Sequence, residues 1–96
     1  MLLNCIYESP AISEPRSRLI SANAGICGCD GALCRLLKKG KADAAHELGL
    51  KVLPLSREMT QLRLRLRQGK GPEILEETEN LSQRILDRLA EIRKLA

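Results

Sequence analysis

From Ile74 to the end of the chain, apolar or small residues recur as Ile74, Thr78, Leu81, Ile85, Ile92 and Leu95, alternating steps of four and three. That alternation lines side chains along one stripe of a helix and excludes a strand, whose period is two. Arg88 stands at the skipped position with Leu89 beside it, and Leu75, Leu86 and Leu89 widen the stripe. The start of the helix is equally marked. Pro72 suits the first turn, where its missing N–H would have no partner in any case, and Glu73, Glu76 and Glu77 place negative charge at the positive end of the helix dipole.

A second amphipathic stretch precedes it. Leu55, Met59, Leu62 and Leu66 repeat the four–three–four spacing, and Ser56 is placed to cap it. The run from Gln61 to Arg67 also alternates with period two. However, Leu and Arg favour helix over strand, no β-branched residue occurs in the run, and the residues beyond the turn leave a strand without a partner. Leu64 is then an outlier on the helix, available to a second chain. The two stretches, joined at Gly69-Lys70-Gly71-Pro72, read as an antiparallel, coiled-coil-like hairpin over 56–96. The expected class is all-α, with short N-terminal helices packed on that hairpin.

Composition agrees with this class. Of 96 residues, one is Tyr and none is Phe or Trp, so the interior must be filled by Leu, Ile and Ala, as in helical bundles. The leucine stripe is wide for so short a chain, which predicts a homo-oligomer, with a dimer preferred. No apolar run approaches the ~20 residues that cross a bilayer, so no membrane partner is expected, and the default location is cytoplasmic with reduced thiols.

Upstream of the hairpin the signals are local. Residues 1–24 begin with Leu2, Leu3, Ile6 and Tyr7, and the prolines at 10 and 15 predict an extended linker over about 8–16. Residues 25–55 read as a turn with short helices. Ala24 to Gly31 is a glycine-rich turn carrying Cys27 and Cys29, and Asp30 caps a helix over 32–39 that Gly40 stops. A second helix over 41–48 ends at Gly49, and Leu50 to Leu55 forms an apolar connector broken by Pro54.

Three constellations are candidates for function. The apolar stripe offers Met59, Leu62, Leu66, Leu81, Ile85, Leu89 and Ile92 for helix-mediated contact with a protein partner or another copy. The second is basic. Residues 49–71 carry six cations against one anion, and Arg57, Arg63 and Lys70 could track phosphates. The Ala45-to-Gly49 spacing before them is that of a helix-turn-helix, with 56–68 as the recognition helix of a DNA-binding regulator. Third, Cys27, Cys29 and Cys34 could serve a thiolate zinc site or a redox sensor, although C-x-C is a poorer zinc knuckle than C-x2-C and only one cluster occurs. His46 has no nucleophile near it in sequence, and no nucleotide-binding or hydrolase motif occurs, so no enzymatic activity and no obligatory cofactor are expected. The favoured function is a small non-enzymatic regulator or adaptor. Nucleic-acid binding comes second and a metal or redox sensor third.

Overall fold

The computed structural model describes residues 10–96. It consists of three helices packed against each other: α1 (Pro10–Lys38), α2 (Ala42–Arg67) and α3 (Gly71–Leu95). The described residues span 49 × 25 × 17 Å, a rod about as long as its longest helix. Leu2, Leu3, Cys5, Ile6 and Tyr7 lie outside them.

The two connections are built alike. At the first, Lys41 N–H bonds to Leu36 C=O and Gly40 N–H to Leu37 C=O. At the second, Lys70 N–H bonds to Arg65 C=O and Gly69 N–H to Leu66 C=O. Both are Schellman ends, which need a left-handed residue just past the helix. Gly40 (φ 77°) and Gly69 (φ 81°) supply it without the clash that a Cβ would bring.

α2 and α3 run in opposite directions, and their ion pairs follow the seven-residue repeat. Arg65 meets Glu77 at 2.7 Å, Glu58 takes both terminal nitrogens of Arg84 at 2.5 and 2.8 Å, and Lys51 reaches Glu91 at 3.4 Å. The Arg65–Glu77 pair lies nearest the turn that joins the two helices. Arg88 also bonds Glu91, at 2.6 Å, and this bond chiefly holds the Glu91 carboxyl below its ordinary pKa, with Lys51 assisting. The contribution of this group is therefore present at neutral pH and fades as pH falls through the lowered value. Beneath the ladder Ile74, Thr78, Leu81, Ile85, Leu89 and Ile92 are buried, with Leu89 in the place Arg88 would have taken; Leu95 is exposed. Thr78 hides its hydroxyl by donating to Leu75 C=O at 2.6 Å.

The upstream half differs from its local signals in three places. Helix runs from Pro10 onward, so residues 10–16 are not an extended linker; residues 8 and 9 lie outside the described part. The glycine-rich turn at 24–31 is the middle of α1, not a boundary, and Asp30 caps nothing. The connector at 50–55 and the stop expected at Gly49 are also helical, so α2 begins at Ala42 rather than Ser56 and continues through Gly49 and Pro54. In each case a helical face outweighs the breakers. Leu19, Ala22, Ile26, Cys29, Ala32 and Leu36 fall on one side of α1, and Ala45, Leu48, Val52, Leu55, Met59 and Leu62 on one side of α2. Burying these rows offsets about 1 kcal/mol lost per helical glycine and the single backbone bond lost at Pro54.

α1 packs most extensively on α3, and its glycines are the reason. A Cβ built on Gly25 would lie 2.6 Å from Ile85 Cγ2, and one on Gly28 would lie 3.3 Å from Leu89 Cδ2. Cys29, one turn on from Gly25, brings its Sγ to 3.9 Å from Ile85 C=O. Arg18 pairs with Glu79 at 3.0 Å, and Lys39 and Lys41 donate to the carbonyls of Ala96 and Leu95. Those cations also suit the negative end of the α3 dipole.

Gly25 and Gly31 therefore respond to alanine with opposite signs. Gly25→Ala drives a methyl into Ile85 and is expected to lose about 1–3 kcal/mol. Gly31, whose added Cβ would meet nothing within 4 Å, is expected to gain about 0.5–1 kcal/mol from Gly31→Ala. Urea unfolding of the two variants, followed by helical circular dichroism, measures both; a shift of the same sign in both would refute the close-packing account.

Candidate functional site

The apolar residues expected to meet a partner are inside the chain's own bundle. Met59, Leu62, Leu81, Ile85, Leu89 and Ile92 are buried, and Leu66 is half-buried against them. They face one another across α2 and α3, with α1 closing the third side. The docking surface must be sought on what they leave outside.

α2 has a second row. His46, Leu50, Leu53, Arg57, Thr60 and Leu64 follow one another in steps of four and three on the side away from the core, and all are exposed. Leu50 is 57% exposed, and Leu53 and Leu64 are 45% exposed, too open for residues that serve this bundle's own core. Thr60 turns its hydroxyl back to Ser56 C=O at 3.2 Å, which leaves its methyl to the surface. Leu64, the outlier of the sequence pattern, belongs to this row. Leu50 and Leu53 belong to it as well, which a connector over 50–55 concealed.

The three basic residues Arg57, Arg63 and Lys70 do not share one face. Arg57 lies in the outer row and Lys70 in the α2–α3 turn. Arg63 lines a cleft of about 380 Å³ between α1 and α2, where Leu19, Ile20 and Leu66 form an apolar floor and Arg16, Asn23 and Arg67 share the rim. The bend that a helix-turn-helix places after Gly49 is absent, because Gly49 lies within α2. On the opposite side, between α2 and α3, a recess of about 270 Å³ is walled by Glu58, Glu73, Glu76, Glu77, Asn80 and Arg84. This end of the bundle is thus positive on its α1–α2 side and negative on its α2–α3 side.

The cysteines are separated by the helix that carries them. Cys29 is fully buried against α3, whereas Cys27 and Cys34, one heptad apart, are exposed on the other side of α1. Two residues of helix turn a side chain to nearly the opposite face, so Cys27, Cys29 and Cys34 cannot converge on one ion. No group of three or more His, Cys, Asp or Glu side chains suited to a metal occurs among the described residues. Burial, aided by the Asp30 charge, raises the pKa of the Cys29 thiol. No described helix is long and apolar enough to cross a membrane.

No protein-family model, curated protein or solved structure matches this chain.

The thiols should separate by rate. In a Cys5→Ser chain treated with a thiol-reactive disulfide reagent, Cys27 and Cys34 are expected to react without any unfolding. Cys29 is inaccessible and poor in thiolate at neutral pH, and it is expected to react only as the bundle opens with urea. Absorbance of the released thiolate counts the groups; three equally fast thiols would mean that Cys29 is not packed against Ile85.

Proposed function

We propose that the chain is a small non-enzymatic adaptor or regulator that engages a protein partner through the outer row of α2. The observation that carries this reading is the heptad spacing of Leu50, Leu53 and Leu64, all exposed on a helix whose opposite face is already buried in the core. One helix with two such rows has a use for both only if something covers the second. Arg57 within the row, with Arg63 and Arg67 toward the cleft, selects among partners. The matching surface is an amphipathic helix with Leu- or Ile-type anchors and carboxylates on its flanks. The apolar anchors provide the affinity, while the charges steer the encounter and fix the register.

The same arginines are what a nucleic acid would use, and the row's leucines are what it would not. A photo-reactive amino acid at position 53 is therefore expected to yield a covalent adduct with a protein in cells. The same residue at position 83, on the polar outer side of α3, is expected to yield none. Leu50→Asp/Leu53→Asp should abolish the adduct at a neighbouring probe and leave the helical circular dichroism signal intact. Adducts with nucleic acid at position 53, or equal protein adducts at both positions, would refute the reading.

A further inference from the structure

α1 has a second face of its own, and it is nearly without charge. From Leu19 to Cys34, sixteen residues, Asp30 is the one ionisable group other than thiols. A helix that is apolar or small all round belongs in an interior, yet α1 lies on the outside of this bundle. Its outward ridge is Ile20, Ala24, Cys27, Gly31 and Cys34, in steps of four, three, four and three, every one exposed. Ile20 is 65% exposed, and Leu37, at the flank of the ridge, is 55% exposed. The stretch from Ile20 to Leu37 is about 25 Å long.

We infer that this ridge is the contact between two copies of the chain, with the two α1 helices side by side and parallel. Charge decides both the occupant and the direction. In the heptad frame of the ridge, Asp30 and Arg35 flank the seam on opposite edges, five residues apart. That is the offset at which one helix's flanking residue meets the other's in a parallel pair. Both are exposed, and neither forms an ion pair among the described residues. Two copies therefore satisfy four charges with two symmetric Asp30–Arg35 pairs. In an antiparallel pair centred on the same stretch, each flank would meet its own kind, Arg35 against the edge carrying Arg35 and Asp30 against the edge carrying Asp30. The small Ala24 and Gly31 allow the helices to come close, as Gly25 and Gly28 do on the other side. Lys38 takes the next place in the series, where two facing ammonium groups end the seam. In this arrangement Cys27 faces Cys27 of the other copy, and Cys34 faces Cys34.

The inference is independent of the α2 reading, and disulfide formation tests it. Two single-ridge-thiol chains are made in a Cys5→Ser background, one with Cys34→Ser and one with Cys27→Ser, the second carrying a size tag. Each is treated with diamide at micromolar concentration. The reagent's N=N bond accepts two electrons and two protons from a pair of thiols, which become a disulfide. Each chain alone is expected to give a covalent dimer on a non-reducing gel, and the mixture is expected to give the two homodimers with no mixed species. A mixed disulfide would show an antiparallel or shifted pair and overturn the geometry, and monomers throughout would overturn the contact itself.

Thiol-independent variants close the case. Asp30→Arg, at an exposed position, is expected to weaken the dimer about tenfold by sedimentation equilibrium, and Asp30→Arg/Arg35→Asp is expected to restore it. Failure of the double exchange to rescue would overturn the pairing. Leu53→Asp, on α2, is expected to leave the dimer unchanged, so this interface and the α2 docking row fail or stand separately.

Discussion

The contact on which the rest of the molecule depends is the one between Gly25 and Ile85. Among Gly25, Gly28, Gly31, Gly40, Gly49 and Gly69, an added Cβ would come within 3.0 Å of a neighbour at Gly25 alone, and it is there that α1 settles on α3. The approach buries Cys29 and brings Leu89 against Gly28, and it allows α1 to close the third side of the core. Three glycines in the central turns of α1 would disfavour an isolated helix by about 1 kcal/mol each. Two of them meet branched side chains of α3: an added Cβ would clash with Ile85 at Gly25, and at Gly28 it would oblige Leu89 to give by a few tenths of an ångström. Helix and interface are therefore one structure: the segment is helical because α3 receives it.

This dependence explains what could be read from the residues and what could not. The stripe of α3 was legible because period and propensity agree there. Ile74, Thr78, Leu81, Ile85 and Ile92 repeat on schedule, with Pro72 and the glutamates marking the start. The glycine-rich stretch of α1 was not legible as helix, because its local propensity contradicts its tertiary role and the deciding partner lies some sixty residues away. Gly49 and Pro54 concealed the upstream half of α2 in the same manner. Val52 and Leu55 continue the core row across them, and that row is visible only once Ala45 and Leu48 are placed on the same helix. The candidate residues followed the same pattern. Apolar positions at heptad spacing were read as a partner-facing stripe and lie in the chain's own core, because spacing alone does not say whether the covering surface comes from the same chain.

The ion pairs between α2 and α3 carry information more than energy. Arg65–Glu77, Glu58–Arg84 and Lys51–Glu91 descend one helix and climb the other in steps of seven residues. Each is partly exposed, and water screens such pairs so that they add little to stability. A slip of one turn would set these charges against the wrong neighbours, so the ladder fixes the register in which the buried leucines interlock. With the core seam closed in this register, the chain's remaining apolar rows, Leu50/Leu53/Leu64 on α2 and Ile20/Cys27/Cys34 on α1, point away from it on different helices. A bundle of this size thereby presents two separate surfaces from one continuous sequence.

The order of the helices has a consequence for how the chain assembles. α1 finds its closest neighbour not in α2, which follows it, but in α3, and Lys39 and Lys41 bond to the carbonyls of Ala96 and Leu95 where that helix ends. Closing that loop is the slow, entropically expensive event, whereas α2 and α3 meet across a three-residue turn. On the ribosome, α1 emerges well before the residues that accommodate its glycines, and it has no complete groove until α3 clears the exit tunnel. The α2–α3 hairpin is therefore the natural nucleus, and the least helical of the three segments is the last to become a helix.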